Sequence, residues 1–255
     1  MEITNTAYFP EYAEQVGDAL KLAAHDLDFK NGQIDLGYSM QASAVYSANI
    51  EGNTIDLNSF MNYKLSQEIA HPTKEIEEIE NLIAAYEFAQ KNELNEANLL
   101  EAHRIFSKTL LIESRRGKYR TEKVGVFGAT GLVYLAIEPE FVAERMAAFF
   151  ENIEQLLNED FSLEKTFYFA SLIHLVFAHI HPFADGNGRA ARLLEKWFLA
   201  QKLGENYWKI PSEKYYKEHQ GKYYENINLG VNYYEVDYDR CLPFLLMLAS
   251  ALKAD

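Results

Sequence analysis

The chain has 255 residues, 48% of them hydrophobic, so it can bury a sizeable core without disulfide staples. Its formal net charge of −14 argues against non-specific nucleic-acid binding, which depends on clustered Lys and Arg side chains. A single cysteine, Cys241, excludes an internal disulfide and is typical of a reducing compartment. Because no signal segment begins at Met1 and no apolar run approaches the roughly 18 residues of a membrane helix, we expect a cytoplasmic protein.

The first fifty residues contain one clear helical segment. Residues 1–37 show no strong pattern and are expected to be irregular or weakly helical. From Leu36 to Ile50 small and apolar residues follow one another without a breaker, so we expect a helix for which Gly52 supplies the stop. Glu51 lies in the last turn, where a carboxylate opposes the helix dipole, and is expected to find a cation.

Two further segments, beginning at Lys74 and Asn95, carry apolar residues at intervals of three and four and are predicted to be amphipathic helices. His103 lies on or beside the apolar stripe of the second, and we expect a hydrogen-bonded core residue there. The helix that begins at Lys74 has an acidic side, which is predicted to face solvent. This side is formed by Glu75, Glu77, Glu78 and Glu80.

Residues 113–136 break the helical pattern. They begin with the most basic run of the chain, in which Arg115 and Arg116 are expected to form a surface patch. Val124 to Leu135 is rich in β-branched and aromatic residues, which predicts two short strands joined by residues 129–131. A helix is expected again from Phe141 to Leu157.

Residues 181–192, HPFADGNGRAAR, carry the strongest chemical signal. Leu163 to His179 is typical of a buried helix that Pro182 stops, and a second helix should begin within residues 186–189. The start of that helix would aim unpaired N–H groups at the loop, where glycines let an anion come close. Arg189 and Arg192 are three apart on one helix face, so the loop is predicted to bind phosphate.

Two other side chains of this stretch suit triphosphate chemistry. Asp185 can hold Mg²⁺, which binds triphosphates through one or two carboxylates. His181 has an unperturbed pKa that suits proton abstraction near neutrality. A metal site built from His174, His179 and His181 is not expected, because residues five apart do not share a helix face.

The twelve residues resemble the signature of the Fic family, H-P-F-x-[D/E]-G-N-G-R-x-x-R, and match every defined position. The resemblance implies an all-α, mainly helical fold with a small β-hairpin flap. It also implies an adenylyltransferase that uses ATP and Mg²⁺ to move AMP onto a Ser, Thr or Tyr hydroxyl of a protein, which can be the chain itself. Pyrophosphate would be released.

The same resemblance assigns a role to each residue of the loop. His181 would be the general base and Asp185 the metal ligand. Arg189 would support the phosphate chain, and Arg192 would meet the γ-phosphate. The anion hole for the α- and β-phosphates would be formed by Gly186, Asn187 and Gly188.

Residues 47–52 are similar to the inhibitory motif [S/T]-x-x-x-E-[G/N] of many Fic proteins, in the subclass whose inhibitory helix precedes the catalytic loop. The resemblance implies that Glu51, with Ser47 on the same helix face, pairs with Arg192 and blocks the γ-phosphate position. It divides the chain into an N-terminal helical region over 1–94, which carries the inhibitory helix, and a catalytic core with C-terminal helices over 95–255.

The predicted hairpin follows the run Gly117-Lys118-Tyr119-Arg120 and resembles the flap of Fic proteins, which registers the backbone of a target by edge pairing. Where relatives often show two prolines after the hairpin, this chain has Ala136-Ile137. Relatives place part of the adenine pocket near Tyr223 and Tyr224, although aromatic side chains also simply pack. The target-docking residues would be Val126, Phe127 and Gly128.

Two other functions stay open. The same loop could run a hydrolase that removes AMP from a protein, with water as nucleophile and Glu51 as its helper. The chain could instead be a nucleotide-sensing regulator without turnover, in which Glu51 keeps the site closed. The expected partner is a protein substrate, with no nucleic acid and no membrane, and a homodimer is left open because self-association could govern Glu51.

Overall fold

The computed structural model describes residues 1–30, 35–66, 72–128 and 131–253, and over these residues the fold is all-α apart from one hairpin, as predicted. Ala129 and Thr130, which were predicted to help join the two strands, lie outside the described residues. The strands are β1 (Gly125–Gly128) and β2 (Gly131–Leu135), which pair antiparallel. The helices are α1 (Phe9–Lys30), α2 (Leu36–Ile50), α3 (Leu57–Leu65), α4 (Lys74–Gln90), α5 (Glu96–Phe106), α6 (Pro139–Asn158), α7 (Leu163–Ile180), α8 (Asn187–Leu203), α9 (Ser212–Glu218), α10 (Gln220–Ile227) and α11 (Leu242–Lys253).

Helices α7 and α8 form the centre of the fold, and the loop between them carries the phosphate-site motif. α7 is buried almost all round because its sequence is apolar on every side, which is typical of a core helix. Its first turn is capped by Ser162, whose hydroxyl accepts from the backbone N–H of Lys165. The two helices pack along each other, so the motif loop is held between two buried elements.

Helix α2 lies against α4 and α9 and reaches the start of α8 with its last turn. Its buried face is made of small residues such as Ser43, Ala44 and Ala48, which allow close approach of the neighbouring helices. The predicted bounds of this helix are confirmed, and so are the starts of α4 and α5, where Thr73 and Asn95 are the N-cap residues.

The N-terminal segment is more regular than the expected irregular or weakly helical structure. Residues 9–30 form α1, with a break at Gly17, whose backbone has φ 46° and ψ −152°. One side of α1 is buried against α7 and α11 and repeats every four residues, as Tyr12, Val16, Leu20 and Ala24. The polar residues between them hid this stripe, and tertiary packing outweighed the weak local signal.

An ion pair is buried where α2, α4, α8 and α9 meet. Lys196 Nζ donates to Glu213 Oε2 at 2.5 Å and to the Ser43 hydroxyl at 2.6 Å. The Tyr86 hydroxyl donates to the other carboxylate oxygen of Glu213 at 2.6 Å. The side chains of Lys196 and Glu213 are 1% and 0% exposed, so each charge depends on the other.

Substituting Lys196→Met should lower the free energy of unfolding by roughly 3–5 kcal/mol, because Glu213 would keep a buried charge without a cation. Urea denaturation measures this loss. The matched control is Lys214→Met, whose side chain is 45% exposed and 3.8 Å from Glu218, and it should change stability by less than about 1 kcal/mol. Equal effects of the two substitutions would contradict a structural role for the buried pair.

Among the residues that the structure describes, none of the helices is both long enough and apolar enough to cross a lipid bilayer.

Candidate active site

His181 ends α7 and faces the cavity described below. Its backbone is left-handed, with φ 53° and ψ 58°, which turns the chain sharply into the loop. The ring Nδ1 lies 3.2 Å from the Ala178 carbonyl oxygen, and because a carbonyl only accepts, Nδ1 carries the proton and Nε2 keeps its lone pair. Burial lowers the pKa of His181, and the charge of Arg120 lowers it further, so the imidazole is a neutral base near pH 7.

The loop after His181 is closed by Asn187. Its side-chain oxygen accepts from the backbone N–H of Phe183 at 2.8 Å, and its NH₂ group donates to the Phe183 carbonyl at 2.9 Å. The Phe183 side chain is fully buried, and its ring stacks on His103 with centroids 3.7 Å apart. The amide and the aromatic ring together fix the path of the backbone before α8 begins.

His103 is a buried brace of the same loop, which confirms the prediction of a hydrogen-bonded core histidine. Nδ1 accepts from the backbone N–H of Gly117 at 2.9 Å, and Nε2 donates to the Asp185 carbonyl at 3.1 Å. These partners need a neutral ring with its proton on Nε2. Burial lowers the pKa of His103 to about 4.

Arg120 is a site residue to which the sequence had given no role. It is 3% exposed, and its Nε donates to the His181 carbonyl at 2.8 Å. Its backbone N–H donates to the Pro182 carbonyl at 2.9 Å, and Nη2 donates to the Ile137 carbonyl at 2.5 Å. The guanidinium therefore ties the segment that follows the hairpin to the loop. The sequence did show Arg120 as the last residue of the run 117–120. It could not show which backbone carbonyls this arginine donates to, because those carbonyls come close only in the fold.

Arg192 and Glu51 meet across α8 and α2, as the resemblance implied. Arg192 is 0% exposed, and its Nη2 donates to Glu51 Oε1 at 2.7 Å and to the Ser47 carbonyl at 3.0 Å. Its Nε donates to the Ser47 hydroxyl at 2.9 Å. The end of α2 therefore supplies three acceptors to one buried guanidinium.

The Glu51 carboxylate also covers the start of α8. A side chain at Gly188 would collide with Glu51 Oε1, so only glycine leaves room for the carboxylate at this helix end. Burial alone would raise the pKa of Glu51, but the charges of Arg192 and Arg189 outweigh it and lower that pKa below its usual range. Glu51 thus stays ionised against the positive end of the helix dipole.

Arg189 pairs with Glu78 of α4 and not with Glu51, the partner of Arg192. Its Nε donates to Glu78 Oε1 at 2.9 Å, and its Nη2 contacts the same oxygen. The side chains are 7% and 13% exposed. The expectation that Glu78 belongs to a solvated acidic face was wrong, because helical periodicity places a residue on a side of its helix without showing what lies opposite.

A buried network backs Arg192. Its Nη1 donates to the Tyr223 hydroxyl at 3.3 Å, and that hydroxyl lies 2.9 Å from His174 Nε2. His174 Nδ1 lies 2.8 Å from Glu195 Oε2, and Tyr216 donates to both oxygens of Glu195 at 2.9 Å. With Tyr223 donating to Nε2 and Nδ1 donating to Glu195, every member has a partner. His174 therefore belongs to this network.

One cavity of about 530 Å³ brings most predicted site residues together. This volume is within the range of small-molecule sites. Arg192 lies behind Glu51, and the Tyr224 hydroxyl donates to the Ile50 carbonyl at 2.9 Å, beside Glu51. The predicted site residues that line the cavity are Glu51, Val126, Phe127, Gly128, His181, Asn187, Gly188, Tyr223 and Tyr224.

The hairpin forms one wall of this cavity. Phe127 is 74% exposed, and the pairing has an irregularity between Val126 and Phe127. The Tyr134 hydroxyl donates to the His179 carbonyl at 2.6 Å, which fastens β2 to α7. The hairpin is therefore anchored at its base while Phe127 projects into solvent.

Asp185 is an exposed carboxylate at the loop, beside the cavity residues. Its Oδ1 accepts from the backbone N–H of Gly186 at 2.6 Å, and its Oδ2 is available for a further ligand. This donor set fits Mg²⁺ held by one carboxylate together with phosphate oxygens. Within the described ranges, no group of three or more His, Cys, Asp or Glu side chains is placed to hold an ion.

The chain is a mainly helical protein in which the start of the central helix α8 faces the neutral ring of His181 across a cavity. A model of the Fic/DOC family matches residues 93–199. A Fic family protein from Desulfovibrio desulfuricans G20 has a similar crystal structure, with a TM-score of 0.76 and 25% identity over 98% of this chain and 73% of that one. A Fic domain containing signaling protein from Bacteroides thetaiotaomicron VPI-5482 shares the fold, with a TM-score of 0.69, 21% identity, and 94% and 92% coverage.

Residues 93–199 of the chain belong to the Fic/DOC family. A curated relative from Drosophila willistoni, named protein adenylyltransferase Fic, is 32% identical over 196 residues, which is 72% of this chain and 36% of the relative. For a second curated relative, from Nematostella vectensis, the matched part of this chain covers 35% of the relative's length. The chain thus spans about a third of the length of these curated relatives.

Acid should weaken the fold through its buried neutral histidines. The pKa of His103 and of His179 is lowered to about 4, mainly by burial, so below their unfolded pKa of about 6.5 the unfolded state binds more protons. Stability is then lost as the pH falls through this window, by about 2 kcal/mol per such histidine at pH 5. Thermal unfolding at pH 7, 6 and 5 measures the loss.

His103→Gln should remove part of this pH dependence, because an amide can accept from Gly117 and donate to Asp185 without titrating. The control is His219→Gln, in a half-buried turn, which should keep the full dependence. A pH dependence that is the same in the His103→Gln variant and in the original protein would contradict the assignment.

Proposed function

We propose that the chain is a protein adenylyltransferase that transfers AMP from ATP to a hydroxyl side chain, and that Glu51 holds it inactive. The observation that carries the proposal is the contact of Glu51 with Arg192 and Gly188, at a helix start that faces His181 across the cavity. A carboxylate occupies the place that suits a phosphate group. The similarity to relatives named protein adenylyltransferase Fic supports the reaction.

His181 is proposed as the general base. Its unprotonated Nε2 takes the proton of the target hydroxyl while the hydroxyl oxygen bonds to the α-phosphorus of ATP. The bond from the α-phosphorus to the bridging oxygen breaks, and its electron pair leaves with pyrophosphate. The backbone N–H groups of Asn187 and Gly188, at the start of α8, stabilise the charge that develops on the phosphate oxygens.

Arg192 is proposed to bind the γ-phosphate once Glu51 has moved. A buried guanidinium needs a counter-ion, so Glu51 and the γ-phosphate compete for it. Because the carboxylate is tied to the end of α2, inhibition depends on how that helix is seated. Residues 1–94 would then form a regulatory region, with residues 95–255 as the catalytic part.

Mg²⁺ is proposed to bind at Asp185, where it would neutralise phosphate charge and orient the leaving pyrophosphate. The target would dock along residues 126–128, which line the cavity beside His181. Backbone pairing at this edge would hold an extended segment whose hydroxyl side chain enters the cavity.

Glu51→Gly should increase transfer of label from α-labelled ATP to protein by at least about tenfold, because Arg192 becomes free for the γ-phosphate. Adding His181→Ala to that variant should reduce labelling by about 10²–10⁴-fold, the contribution of a placed general base. Autoradiography of the purified proteins and of a lysate measures both changes. Labelling that persists in the double variant would rule out His181 as the base.

Other outcomes of the same experiment identify the alternatives. Release of AMP from a previously modified protein, without transfer, would indicate a hydrolase. Tight ATP binding without transfer or release would indicate a nucleotide-sensing regulator.

Asp185→Asn, made in the Glu51→Gly variant, should raise the Mg²⁺ concentration needed for half-maximal labelling by about tenfold or more, because the ion loses its only proposed carboxylate ligand. A Mg²⁺ titration of labelling measures this. The control is Asp239→Asn, in a separate cavity that is lined by residues near the N-terminus, which should leave the Mg²⁺ requirement unchanged. An unchanged requirement in Asp185→Asn would place the metal elsewhere.

A further inference from the structure

We propose that Glu78 is a second counter-ion of the phosphate site, which neutralises Arg189 as Glu51 neutralises Arg192 and opposes nucleotide binding from the opposite side. The inference rests on the proposed nucleotide site and adds a residue to it. Glu78 lies on α4, more than a hundred residues before the loop, and belongs to no motif found in the sequence.

The contact between Glu78 and Arg189 is enclosed. The two side chains are 13% and 7% exposed, and two nitrogens of the guanidinium contact one carboxylate oxygen. An exposed ion pair is screened and weak, whereas a pair removed from water holds its partners firmly as long as both charges are present. Arg189 is therefore engaged before any nucleotide arrives.

Asn53 fixes the orientation of the Glu78 carboxylate. Its NH₂ group donates to Glu78 Oε2 at 3.1 Å and to the Glu75 carbonyl at 2.9 Å. Oε2 is thus taken by the amide, and Oε1 is left facing Arg189. Asn53 follows Glu51 by two residues, so the turn that carries Glu51 also holds the carboxylate of Glu78 in place.

The charges beside the first turns of α8 are balanced. Arg189 and Arg192 face Glu78 and Glu51, one carboxylate for each guanidinium. The charge of Arg189 also reaches Glu51, because it contributes to lowering the pKa of that residue. A triphosphate therefore meets two arginines that are already neutralised, and removal of Glu51 frees only one of them.

The side chains form a closed ring through three elements. Arg192 binds Glu51 on the turn after α2, Asn53 of the same turn binds Glu78 on α4, and Glu78 binds Arg189, one turn before Arg192 on α8. If the turn lifts away, Glu51 leaves Arg192 and Asn53 leaves Glu78 together. Arg192 would then become available, whereas Arg189 would keep its pair with Glu78, which would have lost the amide that orients it.

The test is the affinity for ATP of the Glu51→Gly variant with and without Glu78→Gln, measured by calorimetry in the presence of Mg²⁺. Glutamine keeps the size of the side chain and removes its charge. Arg189 then lacks a counter-ion until nucleotide binds, so we expect the Kd for ATP to fall about tenfold. The thermal unfolding temperature of the free protein should fall, and its increase on adding ATP should be larger than in Glu51→Gly alone.

The matched control is Glu77→Gln in the same background, the same chemical change on the exposed side of α4, and it should leave the Kd unchanged. Adenosine, which has no phosphate, should bind both variants equally. An unchanged or weaker affinity for ATP in Glu78→Gln would overturn the inference, as would an equal gain for adenosine.

Should Glu78→Gln fail to fold, Glu78→Asp gives the second measurement. Aspartate keeps the charge but is one methylene shorter, so it draws back from Arg189, and the affinity for ATP should still increase. No increase in this variant would contradict the inference. Failure of the proposed function is recognised separately, because in that case Glu51→Gly would not transfer label from α-labelled ATP to protein, whatever its affinity for ATP.

Discussion

The burial of the Arg192 guanidinium is the constraint on which the site depends. A cation removed from water must be surrounded by acceptors or it destabilises the fold by several kcal/mol. Here the acceptors come from both oxygens of Ser47, the carboxylate of Glu51 and the hydroxyl of Tyr223. The end of α2 is consequently fixed with respect to α8, although the two helices are far apart in the sequence. Any ligand that replaces Glu51 has to supply a comparable anion.

The remainder of the site is built to keep the loop in one conformation. Arg120 holds the carbonyls of His181 and Pro182, and Asn187 closes the turn on Phe183. His103 holds the Asp185 carbonyl from the other side. These contacts use main-chain atoms of the loop and leave free the ring nitrogen Nε2 of His181 and one oxygen of Asp185. Rigid support of this kind is what a site needs when catalysis depends on positioning.

Much of the architecture could be predicted from local sequence. The bounds of α2 followed from its small residues and Gly52, and the pairing of Glu51 with Arg192 followed from the resemblance of two short motifs. What local sequence could not supply were contacts across the fold. Glu78 was assigned to a solvated face because its periodicity is that of an amphipathic helix, and nothing in that period shows that Arg189 lies opposite.

Helix α1 was expected as no more than weakly helical structure, and the cause is related. Its apolar residues are interspersed with polar ones, and its break at Gly17 interrupts the pattern, so helix formation there depends on packing against α7 and α11. Arg120 and His174 were equally out of reach, since their roles depend on carbonyl, hydroxyl and carboxylate groups brought close only by folding.

The hydrogen bond from Tyr134 to the His179 carbonyl has a consequence for how a target would be chosen. It joins the hairpin to the helix that ends in His181, so the edge that would hold a peptide and the imidazole that would deprotonate it move as one body. The distance between the hairpin edge and the imidazole of His181 is then fixed by the fold. A hydroxyl side chain would be modified when its position along the docked strand places it at the imidazole. Ser, Thr and Tyr at other positions of that strand would not be modified, whatever side chains flank them.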